Sequence, residues 1–124
     1  MIICGGCAGN SILNKVEYAS FAQLLADPKA YDGKRISVAG FYHGEFESFA
    51  VYDCREHANF GIMESGIWVD FPDRKEKAGR IQEVNDCYVR VEGIFHYTPK
   101  GAGHLGGWAS EITAITLFAR LPER

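Results

Sequence analysis

Apolar and polar residues alternate along five stretches of the chain, and this pattern predicts five β-strands. The stretches are RISVAGFY (35–42), FAVYDC (49–54), GIWVDF (66–71), YVRVEGIFH (88–96) and a segment rich in isoleucine and threonine from Trp108 to Ala119. In the fourth stretch Val89, Val91 and Phe95 share one face, and charged residues occupy the other. Each strand is therefore expected to bury one face and expose the other.

Two other segments show the wider apolar spacing of short helices. After Ser20, a residue type that caps helix N-termini, apolar residues recur at helical spacing until Pro28 intervenes. A sparser helical pattern runs through residues 73–84. The sequence thus predicts a helix from Ser20 to about Ala26, ahead of the first strand, and a short helix between the third and fourth strands.

Glycines within two of the predicted strands indicate how the sheet curves. Gly40 and Gly93 occupy the same position in the matching stretches ISVAGFYH and VRVEGIFH. A glycine in mid-strand weakens the strand, so its repeated use indicates a bend, and small closed barrels need such bends at their corners. A bulge is also expected near Thr113, because Ile112 and Ile115 are three residues apart. The element order is that of a five-stranded OB-fold-like barrel, with an open α+β sheet as the alternative.

Size and charge limit the domain organisation and the partners. The chain has 124 residues, enough for one domain with a modest core, and we expect an arm or tether over residues 1–19 and one OB-fold-like domain over residues 20–124. The formal net charge of -3 repels polyanions. The densest cationic run, residues 74–80, is interleaved with acids and is interpreted as a solvated face. Nucleic acid is therefore disfavoured as a partner.

The N-terminal sequence MIICGGCAGNS allows three interpretations. Small residues before Cys7 suit the end of a bacterial lipoprotein signal, in which Cys7 carries lipid; this favours a periplasmic or envelope location over the cytoplasm. The basic and apolar regions of such a signal are missing, so an inert arm is the second interpretation. A metal-binding or redox pair of Cys4 and Cys7 is the third, although no strand precedes it. Membrane contact is expected only through lipid on Cys7.

The glycine-rich segment GAGHLGG, residues 101–107, fits the spelling of a dinucleotide-binding motif. That motif requires a helix directly after it, because the helix N-terminus binds the pyrophosphate. The residues that follow, from Trp108 onward, are rich in β-branched types and predict a strand. We therefore interpret the glycines as turn residues between the fourth and fifth strands, where OB-folds often carry a ligand-contacting loop.

Seven short motifs spread over residues 20–118 carry a family resemblance. They are P-x-x-YDGK (28–34), V-x-G (38–40), EFE (45–47), Tyr52, GIWV (66–69), YV-x-VEG-x-F (88–95) and GH-x-G (103–106). In this order they resemble small bacterial OB-fold-like (tRNA-anti-like) proteins. The chain departs from the usual pattern at Asp53–Cys54 and in the added residues 106–108. The resemblance implies the OB-fold and a non-catalytic character, and it supplies no ligand.

The histidines and cysteines are candidate metal ligands and catalytic groups. His43 and His96 should lie at opposite ends of an antiparallel ladder, so they cannot share an ion. His96 and His104 flank one loop, but two nitrogens do not complete a zinc site. Cys54 and His57 are three residues apart, with no third group placed to orient a base. We expect no enzymatic activity, cofactor or bound metal, and metal binding through His96 and His104 is kept as an alternative.

Acidic and aromatic residues define a candidate contact surface between the first hairpin and the glycine-rich loop. Partner contacts are predicted from Glu45, Glu47, Tyr52, Trp68, His104 and Trp108. The surrounding acids disfavour nucleobases and suit a protein, or a neutral or cationic small ligand. The predicted function is a non-enzymatic OB-fold binding or adaptor domain, with single-stranded nucleic-acid binding as an alternative. Rings that merely fill the core are an equally open interpretation, and Trp108→Ala is expected to weaken binding while leaving the fold largely intact.

Overall fold

The chain folds into six β-strands and three short α-helices over the residues that a computed structural model describes, 15–45 and 48–122. The strands are β1 (Glu17–Tyr18), β2 (Arg35–Glu45), β3 (Ser48–Tyr52), β4 (Gly66–Val69), β5 (Cys87–Ala102) and β6 (Trp108–Arg120). The α-helices are α1 (Phe21–Ala26), α2 (Arg55–Asn59) and α3 (Ala78–Glu83). Single 3-10 turns cover Pro28–Tyr31, Met63–Ser65 and His104–Gly106. The mainly β fold, the leading helix and the helix between the third and fourth barrel strands are confirmed.

Strands β2 to β6 close into a barrel. Their order is β2-β3-β4-β6-β5, and β5 pairs back onto β2. β4 and β6 run parallel, whereas the other neighbours in the barrel run antiparallel. β2 belongs to two ladders, because residues 35–42 pair with β5 and residues 41–45 pair with β3. This is a five-stranded OB-fold-like barrel, and its closure rules out the open-sheet alternative.

Strand β1 is an addition that the hydrophobic pattern did not predict. It pairs parallel with the start of β2, and the backbone N–H of the following residue, Ala19, donates to the carbonyl of Ser37 at 3.1 Å. Ala19 is buried in the barrel core. Two residues are too few to show the alternation by which strands are recognised. The predicted arm of residues 1–19 therefore ends in contact with the barrel, and its first 14 residues, including Cys7, lie outside the described residues.

The β5–β6 ladder contains the predicted bulge. Residues 114–116 of β6 lie opposite Gly93 alone, and Ala114 has a left-handed φ of 49°. A Cβ added to Gly93 would lie 2.5 Å from the carbonyl oxygen of Thr113. The bulged strand therefore approaches β5 so closely that only glycine fits, as the sequence pattern indicated.

Helix α1 packs against the barrel and contributes to its core. Ser20 caps it reciprocally: its hydroxyl accepts from the Gln23 N–H at 3.0 Å, and the Gln23 side chain accepts from the Ser20 N–H at 2.8 Å. Phe21 and Leu24 join the core inside the barrel. A Cβ at Gly40 would lie 2.9 Å from the Phe21 ring, so the glycine makes room for the helix. Helix α3 contributes Ile81 to the same core.

The glycine-rich loop is a turn, as the sequence analysis concluded. Gly101, Gly103 and Gly106 have positive φ angles of 104°, 71° and 66°, which favour glycine. Strand β6, and not a helix, follows the loop. The backbone arrangement that binds a pyrophosphate is therefore not formed here.

Candidate functional site

Three of the predicted contact residues belong to a second hydrophobic cluster on the outer face of β3 and β4. Tyr52, Trp68 and Trp108 are 4%, 9% and 4% exposed. Ala58 of α2 and Ala102 of the β5–β6 hairpin pack against them. We call this group, with Phe41 and Ala50, the outer aromatic cluster. It forms because α2 and the hairpin fold over a strand face that OB-folds commonly leave open for ligands.

The rings of the outer aromatic cluster are closely packed. The Trp108 ring lies 5.7 Å from the Tyr52 ring in a T-shaped arrangement and 6.1 Å from the Trp68 ring. Gly66 and Gly103 leave the space that these rings fill, because a Cβ at Gly66 would lie 2.6 Å from Trp108. Burial, and to a smaller extent the charge of Glu45, raises the pKa of Tyr52 to about 12. The contact role predicted for these rings stays a prediction, but their burial points to structural packing.

The acidic part of the predicted surface lies at the end of the barrel where β2 meets β3. Glu45 is the last residue of β2, and its carboxylate lies 3.8 Å from Nε2 of His43. The other imidazole nitrogen of His43, Nδ1, lies 2.6 Å from Asp86 Oδ1. Glu47 lies outside the described residues. His43 is thus held between two carboxylates, and no hydroxyl or thiol among the described residues hydrogen-bonds to it as a nucleophile would.

The two histidines of the metal alternative are separated along the β5–β6 hairpin. His96 pairs opposite Glu111, and its Nε2 lies 3.0 Å from the Thr113 hydroxyl. His104 is in the turn at the hairpin tip, eight residues further along the chain. Among residues 15–45 and 48–122 no group of three or more His, Cys, Asp or Glu could hold a metal ion. The antiparallel β2–β5 ladder places His43 and His96 at opposite ends of the barrel, as predicted.

A pocket of about 620 Å³ opens between the β2–β3 hairpin and α3. We call it the hairpin–helix pocket. Its described lining is Tyr42, Gly44, Glu45, Phe49, Arg74, Lys75, Ala78, Ile81, Gln82 and Asn85. The volume is in the range of small-molecule sites, and the mixture of apolar walls with a few polar groups is typical of them. It is distinct from the outer aromatic cluster, although both border β3.

Tyr42 forms part of the wall of the hairpin–helix pocket and also belongs to the barrel core. The residue is 1% exposed, and its ring packs at 5.0 Å from Phe118. Its hydroxyl lies over Gly44, where an added Cβ would collide with it, and has no hydrogen-bond partner among the described residues. Burial raises the pKa of Tyr42, and the charge of Arg74 opposes this rise in part. The site therefore holds a neutral, buried hydroxyl with unused hydrogen-bonding capacity.

Polar groups around the hairpin–helix pocket are arranged by the loops that flank α3. The Arg74 guanidinium lies 4.8 Å from the centre of the Phe49 ring, within cation–π distance. The side-chain oxygen of Asn85 accepts from the Gly44 N–H at 2.7 Å, which fixes the hairpin against the loop after α3. The lining is therefore contributed by the β2–β3 strand pair on one side and by α3 with its flanking loops on the other.

The sequence pattern predicted a solvated face at Arg74 and Lys75, and it did not predict this pocket. The reason is that the pocket forms between elements that are about 30 residues apart in the sequence. One local signal was present: Tyr42 and Gly44 share a strand face, and a ring two residues from a glycine can lie over it.

Comparisons with known proteins give no family for the chain. No protein-family model matches it, and no curated protein matches it either. Within the described residues, no helix has the length and apolar character required to span a bilayer. The resemblance to small bacterial OB-fold-like proteins therefore stays a prediction for the family, while the barrel itself is established by the strand order.

Proposed function

We propose that this protein is a non-enzymatic binding domain that takes a small organic ligand in the hairpin–helix pocket. The observation that carries the proposal is the pocket itself, a concavity of about 620 Å³ with an apolar wall and several polar side chains. The usual ligand-binding face of the barrel supports it indirectly, because Trp68, Trp108 and Tyr52 fill that face with the protein's own side chains.

The proposal is tested by locating where small molecules bind. A library of soluble fragments is screened by two-dimensional ¹H–¹⁵N NMR on the full chain. Ligands that bind in the pocket are expected to shift the amides of Gly44, Phe49 and Gln82. Ala78→Phe fills the pocket from α3 and should abolish these shifts, whereas Ala22→Phe, at an exposed position of α1, should preserve them. Fragments that shift other amides only, or shifts that survive Ala78→Phe, would contradict the proposal.

A second candidate function is contact with a protein partner near the predicted late-loop residue His104. The observation in its favour is that Leu105 is 91% exposed and Phe60 is 81% exposed. The two segments meet, because a Cβ at Gly107 would touch the Met63 side chain. Contiguous exposed apolar patches are typical of protein contact sites, and Phe60 and Leu105 belong to the two segments that meet here.

The protein-contact candidate requires its own comparison. Proteins retained from the native host by the immobilised wild-type chain are compared, by quantitative mass spectrometry, with those retained by Phe60→Ser/Leu105→Ser. A partner that is retained by the wild type and lost with the double variant, while fragment binding in the hairpin–helix pocket is unchanged, supports the contact. Identical sets of retained proteins would argue against it.

Two further parts of the functional hypothesis depend on direct chemical tests. Lipid on Cys7 would place the domain at the cell envelope, and mass spectrometry of the N-terminal peptide from the native host detects it. Single-stranded nucleic-acid binding stays the alternative: it predicts oligonucleotide anisotropy changes that weaken steeply with salt. The absence of any change at low salt would remove that alternative.

A further inference from the structure

Cationic and neutral donor groups predominate in the polar lining of the hairpin–helix pocket. Arg74 and Lys75 are both in the lining, and neither forms an ion pair with a carboxylate of residues 15–45 or 48–122. Glu45 is the one acid of the described lining, and its carboxylate is turned toward His43 at 3.8 Å. The local charge of the pocket is therefore positive, although the whole chain is acidic. A positively charged concavity attracts anions.

The rest of the hairpin–helix pocket lining is largely apolar. It includes Phe49 from β3 and Ala78 and Ile81 from α3. A ligand that packs against these apolar residues needs an apolar body, because burying polar groups there without partners costs free energy. The Tyr42 hydroxyl adds a buried donor without a partner in the described chain. A ligand oxygen that reached it would satisfy a group that residues 15–45 and 48–122 leave unsatisfied.

We propose that the hairpin–helix pocket binds a small organic anion, with its charged group at Arg74 and Lys75 and its apolar body against Phe49 and Ile81. The Tyr42 hydroxyl donates a hydrogen bond to an oxygen of the ligand and so favours ligands that carry an acceptor there. This inference rests on the proposed function and adds the class of ligand. It also replaces, for this pocket, the expectation of a neutral or cationic ligand, because Glu45 is the one acid behind that expectation that is in the described lining, and Arg74 and Lys75 outnumber it there.

The charge preference is measured with three probes that share one apolar body. Naphthalene-2-carboxylate, naphthalene-2-carboxamide and 2-naphthylmethylamine are titrated into the ¹⁵N-labelled chain at about pH 7.5 and constant ionic strength. The carboxylate is expected to bind about tenfold more tightly than the amide, as is typical when a charge-assisted hydrogen bond replaces a neutral one, and the amine should bind most weakly. Equal affinities with shifts in the pocket would overturn the anion inference and leave the proposed function standing. No shift in the pocket with any probe would count against both.

Variants then test which side chains recognise the charge. Arg74→Gln/Lys75→Gln should bring the affinity of the carboxylate down to that of the amide. Lys100→Gln, an exposed lysine on the β5–β6 hairpin, is the matched control and should leave the preference unchanged. If the preference for the carboxylate survives the double substitution, the anion site is not at Arg74 and Lys75.

The role of the Tyr42 hydroxyl is separated from its role in the core by Tyr42→Phe, which removes one oxygen and keeps the ring. Because the hydroxyl is buried without a described partner, this variant should be as stable as the wild type or more so, and it should bind naphthalene-2-carboxylate several-fold more weakly. Tyr18→Phe, at an exposed position, is the control. A destabilised Tyr42→Phe protein, or one with unchanged affinity, would show that the hydroxyl is a structural group and does not bind the ligand.

Discussion

Replacing Trp108 with alanine is expected to remove a large part of the stability of the domain. The side chain is 4% exposed, and its ring contacts Tyr52 at 5.7 Å and Trp68 at 6.1 Å. An aromatic side chain of this kind buries about 200 Å², which corresponds to about 5 kcal/mol at about 25 cal/mol per Å². Measured losses for Trp→Ala in cores are about 3–5 kcal/mol. We therefore expect a loss of about 4 kcal/mol, a large fraction of the roughly 5–15 kcal/mol typical of a single domain.

The assay is urea unfolding followed by far-ultraviolet circular dichroism, because tryptophan fluorescence would change with the substitution itself. Leu105→Ala is the matched control from the same hairpin: its side chain is 91% exposed, so the free energy of unfolding should change by about 0.5 kcal/mol or less. A loss of less than about 1 kcal/mol in Trp108→Ala would refute the burial argument. It would also restore the earlier expectation that this residue is a free contact on an open face.

Three other perturbations test separate parts of the structure. Gly93→Ala should cost about 1–3 kcal/mol in urea unfolding, because the new Cβ would lie 2.5 Å from the Thr113 carbonyl oxygen; an unchanged midpoint would contradict the close approach of β5 and β6. Gly79→Ala, in α3 with open space around it, should instead raise the free energy of unfolding by about 0.5–1 kcal/mol, and a decrease would mean that α3 is not helical there. Burial raises the pKa of Tyr52 to about 12, above the value near 10 in the unfolded chain. The contribution of the protonated hydroxyl to the free energy of unfolding is therefore fully present below about pH 10 and is lost as the pH rises toward 12, because the unfolded chain loses the proton first. The free energy of unfolding between pH 9 and 11.5 should fall less steeply in Tyr52→Phe than in the wild type, and parallel curves would contradict this.

The barrel was predictable because its signals are local. Alternation marks each of the five barrel strands, and the paired glycines Gly40 and Gly93 mark two places where a side chain would not fit. The spacing of Ile112 and Ile115 likewise predicted the bulge at residues 114–116. Each of these features depends on neighbours within a few residues, so one sequence was enough.

The burial of the aromatic residues in the outer aromatic cluster was not predictable in the same way. Trp68 alternates out of the barrel core, as the pattern indicated, and such a ring is exposed unless another element covers it. Here α2 and the extension of β5 beyond His96 provide the cover, and neither was predicted as regular structure. Burial of an outward-facing residue is a property of distant segments folding over it, which periodicity does not report.

The hairpin–helix pocket was not predicted, for a related reason. Its charged residues, Arg74 and Lys75, follow the third barrel strand, whereas its hairpin wall precedes that strand. The antiparallel β3–β4 ladder brings the two together, because it places the end of β4 beside the start of β3. In the sequence, Arg74 and Lys75 lie between acids, so this run has little net charge. The neighbouring acids do not line the pocket, and the two cations do.

The most direct test of where the ligand binds is the set of intermolecular nuclear Overhauser effects from bound naphthalene-2-carboxylate. We predict contacts from the naphthalene protons to the δ-methyl group of Ile81 and to the ring of Phe49. Contacts to the rings of Tyr52, Trp68 or Trp108 instead would mean that the barrel receives ligands on its outer face, and they would contradict the assignment of the hairpin–helix pocket as the binding site.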